Sequence, residues 1–162
     1  MTPLPKIKPA MGLDPGLGRL GYAVVQGTIT KPQIVTFGCF ETSPKRPHAD
    51  RLVQIGQAVE GLLKKYQPSV VGLEKLFFST NVKTALAVGE ARGVIAYTIQ
   101  KNHGRLAEFS PQEVKSAATG QGRADKKQVQ KMLKLIFGLP TLPKPDVAAD
   151  ALALALCALT IK

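Results

Sequence analysis

Four acidic side chains stand at the ends of apolar segments, where a folded chain normally buries hydrocarbon and avoids charge. They are Asp14, Glu74, Asp146 and Asp150, and the first three occur in the stretches GLDPG, VVGLEKLFF and PKPDVAADALALAL. A buried carboxylate is costly unless a cation or a hydrogen-bond network compensates it. Acids gathered from distant parts of a basic chain therefore predict a divalent-metal site that acts on phosphates.

The spacing of the last two acids supports this prediction. Asp146 and Asp150 are four residues apart at the start of a helical Ala/Leu segment, so they share one face of that helix. Mg²⁺ prefers oxygen ligands, and two such ions ~4 Å apart can activate a water and stabilise the leaving oxygen of a phosphodiester. We therefore expect a site for two Mg²⁺ ions, in which Mn²⁺ can substitute. An N-cap is the alternative role for Asp146, whereas Asp150 lies inside AADALALAL and has no such alternative.

Composition points to a polyanionic partner. The 162 residues contain 22 Lys and Arg against 11 Asp and Glu, a formal charge of +11, which favours binding to nucleic acid over a merely soluble basic protein. No apolar run approaches the ~20 residues of a membrane-spanning helix, and residues 1–10 lack the apolar core of a signal peptide. We therefore expect a cytoplasmic protein without a membrane partner. Cys39 and Cys157 lack metal-site or disulfide spacing and are interpreted as core residues.

The pattern of apolar residues predicts one α/β domain over residues 1–162, with residues 1–9 disordered. Strands are expected near 11–13, 22–25, 34–40, 70–73 and 105–109. Helices are expected near 51–66 and 81–102, and three more are expected to follow: one that begins at 111, one that ends at 137 and one that begins at 146. Two capping boxes, Ser110 with Glu113 and Asp125 with Gln128, are expected to open the third and fourth helices. These elements predict a mixed five-stranded sheet with helices on both faces, in which Asp14 and Glu74 end neighbouring strands.

The helix near 81–102 carries small and apolar residues on more than one face. One face can cover the sheet while another meets a second copy of the chain, which predicts a homodimer. A helix sandwiched inside a monomer would show the same pattern.

A glycine motif offers a rival interpretation. Gly16, Gly18 and Gly21 match a dinucleotide-binding fingerprint, and Glu41 lies where a ribose-binding acid belongs. That fingerprint requires a helix after the last glycine, but the chain continues with the strand-like YAVV. A nucleotide site of the actin or sugar-kinase type needs two lobes, which 162 residues cannot supply. Both alternatives are therefore disfavoured.

Five blocks of the chain resemble the RuvC family of bacterial Holliday-junction resolvases: LDPGLGRLGYAVV, VVGLEKLFFSTN, VGEARGV, SPQEVKSAATGQGRADKKQVQ and AADALALAL. They occur in the family's order between about residues 11 and 158. The resemblance implies a ribonuclease-H-like fold, a homodimer, and Mg²⁺-dependent paired incisions in strands of like polarity at a four-way DNA junction. In-line attack by water would expel the 3′ oxygen and leave a 5′ phosphate.

The resemblance also implies roles for individual residues. Asp14 and Glu74 match catalytic metal ligands, Asp150 matches the acid of the final helix, and Lys115 and Lys126 match basic residues near the scissile phosphate. A matching aromatic, Phe77, is expected to stack on a base at the crossover, with Phe78 beside it. Further phosphate contacts are expected from Lys83, Arg92, Arg123 and Lys127.

The chain departs from the family in its last motif. The family usually places an acid or a histidine three residues before the final Asp, and that position holds Val147, with Asp146 one residue earlier. Offsets of three and four lie on neighbouring parts of a helix face, so a slight shift of the helix start would let Asp146 reach the metals. A junction-binding adaptor with impaired cleavage is therefore the alternative function. The family's branch-migration proteins, RuvA and RuvB, are the further partners implied.

Overall fold

The computed structural model describes residues 7–76 and 81–161. The disorder expected for residues 1–9 stays a prediction, and residues 1–6 lie outside the described part. Strands run over β1 Ala10–Asp14, β2 Arg19–Thr28, β3 Lys31–Glu41, β4 Val70–Glu74 and β5 Leu106–Phe109, and helices over α1 His48–Tyr66, α2 Val82–Lys101, α3 Pro111–Thr119, α4 Lys126–Phe137 and α5 Asp146–Ala158.

The described strands form one mixed five-stranded sheet, as predicted, and their order in the sheet is β3-β2-β1-β4-β5. β1 is antiparallel to β2 and parallel to β4, and β5 continues the parallel side. Leu13 is registered opposite Leu73, so Asp14 and Glu74 are the next residues of two neighbouring parallel strands. The expectation that these two strand ends lie side by side is confirmed.

Alternation along β1 and β4 assigns each side chain to one face of the sheet. Met11 and Leu13 belong to the core shared with α1 and α2, whereas Ala10 packs with residues of α3, α4 and α5. Helices therefore cover both faces. Asp14 and Glu74 follow Gly12 and Gly72 by two residues, which puts both carboxylates on the face covered by α5.

Three glycines let α5 lie unusually close to the sheet. A Cβ on Gly72 would lie 2.9 Å from the Leu154 carbonyl oxygen, and a Cβ on Gly12 or Gly21 would clash with the carbonyl oxygen of Ala151 or Val147 respectively. The helix supplies mostly alanine and leucine to this contact, and its residues from Ala151 to Ala158 are all buried. Close packing of this kind fixes the position of the helix along its axis and around it.

The helix termini follow the local sequence signals. Both predicted capping boxes form with reciprocal hydrogen bonds, and Gly138 ends α4 in the left-handed conformation. The N-cap interpretation of Asp146 is wrong, because Pro145 is the N-cap residue and Asp146 is the first residue of α5.

The first hairpin is longer than predicted. β2 and β3 pair from Arg19↔Glu41 to Thr28↔Lys31 and leave only Ile29 and Thr30 in the turn. Gly21 lies within β2, so a strand follows the glycine motif and the disfavoured dinucleotide interpretation is excluded.

The second helix has one free face. α2 packs on α1 through Ala91, Ile95 and Ile99, while Val82, Leu86 and Tyr97 are 64–77% exposed. The alternative of a helix sandwiched inside the monomer is therefore wrong. Among the described residues, no helix is long and apolar enough to cross a membrane.

Both cysteines are free thiols. Cys157 is buried on α5, as expected for a core residue, whereas Cys39 is only partly buried on β3.

Candidate active site

Three carboxylates from distant parts of the chain lie together at the carboxyl ends of β1 and β4. Asp14 and Glu74 reach this site from the strands, and Asp150 reaches it from the second turn of α5. The repulsion between their negative charges helps to raise their pKa values. Burial, then the negative charges of Asp150 and Glu74, raise the pKa of Asp14 to about 7, while Lys126 opposes the shift.

The pKa values of the other two acids, Glu74 and Asp150, are also raised. Burial and then the charge of Asp150 raise the pKa of Glu74, against the effect of Lys115. Burial raises the pKa of Asp150 as well, Lys126 opposes that shift, and the negative charge of Asp146 adds to it. The predicted acids therefore form one electrostatically coupled group, in which removal of water and like charge both disfavour ionisation.

Two lysines face this group. Lys115 of α3 and Lys126 of α4 line a cleft together with Glu74 and Asp150. The Lys126 Nζ lies 3.5 Å from Asp150 Oδ2 and 3.3 Å from Asp146 Oδ2. Both lysines are therefore placed to neutralise anionic charge beside the carboxylates.

Asp146 lies on the α4 side of the site. Its Oδ1 accepts a hydrogen bond of 3.1 Å from Gln130 Nε2, and its Oδ2 pairs with Lys126. The Gln130 hydrogen bond, followed by Lys126, lowers the pKa of Asp146. Of the four predicted acids, Asp146 is the only one whose pKa falls, because it is exposed and has two donors.

A divalent cation fits the charge of this site. Asp14, Glu74 and Asp150 are oxygen donors whose ionisation is suppressed, and a cation would favour the charged form that binds it. Within residues 7–76 and 81–161, no three acidic, histidine or cysteine side chains are already set as a metal cluster.

Comparison with known proteins identifies the family. Residues 10–158 match the family model of the crossover junction endodeoxyribonuclease RuvC. The chain belongs to the RuvC family. Its relatives include RuvC of Caldicellulosiruptor saccharolyticus, 43% identical over 91% of this chain and 89% of the relative. RuvC of Thermomicrobium roseum is 46% identical over 91% and 90% respectively.

Solved structures agree with this assignment. The chain resembles Thermus thermophilus RuvC in complex with a Holliday junction substrate, with a TM-score of 0.85, 32% identity, and coverage of 91% of this chain and 92% of that one. The yeast mitochondrial resolvase Ydc2 has a TM-score of 0.65 and 19% identity, covering 96% and 80%, which supports the ribonuclease-H-like fold alone. RuvC proteins are metal-dependent nucleases.

The other predicted DNA contacts lie at several places on the surface of the chain. Lys83 and Lys127 are exposed near the starts of α2 and α4, and Arg123 is exposed in the loop before α4. The predicted stacking residues Phe77 and Phe78 lie outside the described residues.

Arg92 contacts the protein itself. Its Nε donates to the backbone carbonyl oxygen of Glu74 at 3.2 Å, and its Nη2 pairs with Glu108. Arg92 therefore holds the end of β4, which carries Glu74, and its predicted phosphate contact stays a prediction.

Sequence reasoning missed two supports of the RuvC site. Gln130, the partner of Asp146, is four residues after Lys126 on the same face of α4, and that spacing was the available signal. The second support holds the loop after Asp14. The Thr42 hydroxyl donates to the Leu17 carbonyl at 2.5 Å and accepts from Arg51 Nε at 2.9 Å. No local pattern signals this second contact, because its members are far apart in sequence.

Proposed function

We propose that this chain is a Mg²⁺-dependent endonuclease that resolves four-way (Holliday) DNA junctions by paired symmetric nicks with 5′-phosphate ends, in recombination and repair. The single observation that carries the proposal is the coupled group of Asp14, Glu74 and Asp150. Its negative charge stands in a chain with a formal charge of +11, as expected of a nuclease that draws in DNA and concentrates metal at one point.

Asp14, Glu74 and Asp150 are the residues that would hold two Mg²⁺ ions, with Mn²⁺ as a substitute. The ions would supply a nucleophile at neutral pH and charge stabilisation at the phosphate. Asp146 was predicted as a fourth ligand, but its contacts with Gln130 and Lys126 on α4 support a positioning role instead.

The lysines have a role that does not depend on metal. Lys115 and Lys126 line the cleft beside Glu74 and Asp150, so a phosphate entering that cleft would meet two ammonium groups. A compact ammonium stabilises charge that builds on the phosphate during in-line attack. Lys83, Arg123 and Lys127 are exposed and are assigned to phosphates of the junction arms, and Phe77 and Phe78 to stacking at the crossover.

Paired nicks need two sites, so we assign a homodimer. The exposed side chains of Val82, Leu86 and Tyr97 on α2 support this face as the contact with a second copy, because large apolar side chains grouped on one helix favour burial. RuvA and RuvB remain expected partners, and the cytoplasmic location stays a prediction.

A junction-binding adaptor is the second candidate function. The position of Asp146, bonded to Gln130 and Lys126, favours it, because loss of one metal ligand would weaken cleavage and leave binding intact.

Incubation of a synthetic four-way junction with the full chain in Mg²⁺ or Ca²⁺ separates the two candidates. Nicks in Mg²⁺ support the endonuclease, whereas binding without nicks in Mg²⁺ supports the adaptor. Glu74→Gln is expected to abolish nicking while junction affinity changes by less than about threefold, because one neutralised acid among many phosphate contacts alters binding little. Retained nicking by this variant would refute the assignment of the site. Glu60→Gln, a change of the same type on α1, is the control and should nick normally.

A further inference from the structure

Two helix faces meet beside the carboxylate group. Lys126 and Gln130 are four residues apart on α4, and Asp146 and Asp150 are four residues apart on α5. Side chains with this spacing lie on one face of a helix. Lys126 contacts both acids, and Gln130 contacts Asp146. The four side chains therefore form a chain of polar contacts between the helices, in the order Gln130, Asp146, Lys126, Asp150.

The two acids of this contact differ in surroundings. The Asp150 side chain is 39% exposed and its charge acts on Asp14 and Glu74. The Asp146 side chain is 68% exposed, and both of its oxygens already have donors on α4. The order across the site is therefore Asp146, Lys126, Asp150, and then the two strand carboxylates.

Helix geometry explains why Asp146 lies on the far side of Lys126. At about 100° per residue, an offset of four residues places a side chain about 40° to one side of Asp150, and an offset of three about 60° to the other. Position 146 therefore faces α4 and position 147 faces the sheet. Val147 packs against Gly21, which is registered opposite Asp14. The helix position that packs on the strand residue paired with Asp14 thus holds an aliphatic residue.

We propose that Asp146 is a positioning residue that, together with Gln130, holds the Lys126 ammonium at the entrance of the carboxylate site, and that it does not bind metal. This inference rests on the proposed nuclease function. Lysine has a long, flexible side chain whose ordering costs entropy. Asp146 offsets part of that cost, and it would still accept from Lys126 if Asp150 bound a cation.

Nicking kinetics and metal binding test the proposal in separate measurements. Single-turnover nicking of a four-way junction in Mg²⁺ is measured for wild type, Asp146→Asn, Lys126→Gln and the double variant. We expect Asp146→Asn to slow nicking about two- to fivefold, the effect of losing an ion pair between two exposed side chains. The double variant should be no slower than Lys126→Gln alone, because Asp146 acts through that lysine.

Calorimetric Ca²⁺ titration of the protein–junction complex gives the readout that does not depend on activity. Asp146→Asn should bind Ca²⁺ within about threefold of wild type, because an exposed charge is strongly screened. Asp150→Asn should weaken Ca²⁺ binding about tenfold or more, because it removes a ligand. Asp125→Asn is the matched control: it removes an exposed acid next to Lys126 and keeps the N-cap, so nicking and Ca²⁺ binding should be unchanged.

Two results would overturn the proposal: Ca²⁺ binding that weakens as much in Asp146→Asn as in Asp150→Asn, or effects of Asp146→Asn and Lys126→Gln that multiply in the double variant. A wild-type chain that binds junctions and Ca²⁺ but makes no nicks would refute the proposed function, and with it a positioning role in that reaction. The two failures can be told apart. Failure of the positioning role is scored with a wild-type chain that nicks the junction, whereas failure of the proposed function is scored with one that does not.

Discussion

The substitution Asp14→Asn should make the metal-free protein more stable at alkaline pH, although it is expected to abolish nicking. Asp14 has a pKa of about 7 in the folded chain, raised from 3.8 by burial and by the charges of Asp150 and Glu74. An amide of the same shape carries no charge. The variant therefore removes a folded-state penalty instead of a favourable contact.

Proton linkage determines how the contribution of Asp14 to the free energy of unfolding changes with pH. Between pH 3.8 and about 7, the folded chain keeps a proton on Asp14 that the unfolded chain has lost. The contribution of this group to the free energy of unfolding is therefore fully present below pH 3.8, falls as the pH rises, and is lost above about pH 7. A shift of about 3 units corresponds to at most about 4 kcal/mol, which coupling to the other acids and partial exposure reduce to about 1–3 kcal/mol.

Urea unfolding with a chelator present, at pH 8 and pH 4, measures this difference. At pH 8 the variant should exceed wild type by about 1–3 kcal/mol, and at pH 4 by less than about 0.5 kcal/mol, because Asp14 is then protonated in the folded state. Mg²⁺ at ten times its dissociation constant should add about 1.4 kcal/mol to wild type at pH 8 and much less to the variant.

Glu60→Gln on α1 is the matched control. Lys64 lowers the pKa of Glu60, so the ionised form is the favoured one in the folded chain. Its neutralisation should give a small change of the opposite sign, present at pH 8 and absent at low pH. An Asp14→Asn variant that is no more stable than wild type at pH 8, or equally stabilised at both pH values, would refute the account of the carboxylate group.

Three further predictions concern the fold, the assembly and the DNA contacts. In the same urea assay, Gly12→Ala should lower the free energy of unfolding by about 3 kcal/mol or more, because its Cβ would meet the backbone of α5. Gly61→Ala is the control: its Cβ meets nothing within 4 Å, so the free energy of unfolding should rise by about 0.5–1 kcal/mol. Leu86→Glu should convert a dimer to a monomer in sedimentation velocity, because the exposed apolar side chain would become charged, and an unchanged sedimentation coefficient would contradict the assigned interface. Arg123→Gln and Lys127→Gln, exposed just before and at the start of α4, should each reduce the slope of log affinity for junction DNA against log salt by about 0.9, and an unchanged slope would place these residues outside the DNA contact.

Local signals predicted the elements that carry the site. The capping boxes at Ser110 and Asp125 set helix starts by hydrogen bonds within four residues, so the sequence alone is sufficient to place them. The strand that ends at Glu74 is a short apolar run, and its parallel pairing beside β1 follows from the order of elements. These features depend on near neighbours or on topology.

The missed features depend on distant contacts. β2 and β3 extend through polar residues, because their cross-strand partners sustain the pairing where the apolar pattern has ended. The hydrogen bond from Arg92 to the Glu74 carbonyl joins residues 18 positions apart. Such contacts become visible only when the helices are placed on the sheet.

The orientation of Asp146 shows this limit most clearly. A slight shift of the helix start was expected to let Asp146 reach the metals, but α5 is fixed against Gly12, Gly21 and Gly72 by backbone contacts. Moving the Cβ of Asp146 to the direction of position 147, roughly 100° around the helix axis, would require the whole helix to rotate on these glycines. The side chains that follow, from Ala151 to Ala158, are buried, so the rotation would disrupt the packing of the core. The close contact that places Asp150 beside Asp14 therefore also favours the contact of Asp146 with Gln130 and Lys126 of α4, and metal binding by Asp146 stays a prediction that the Ca²⁺ titration tests.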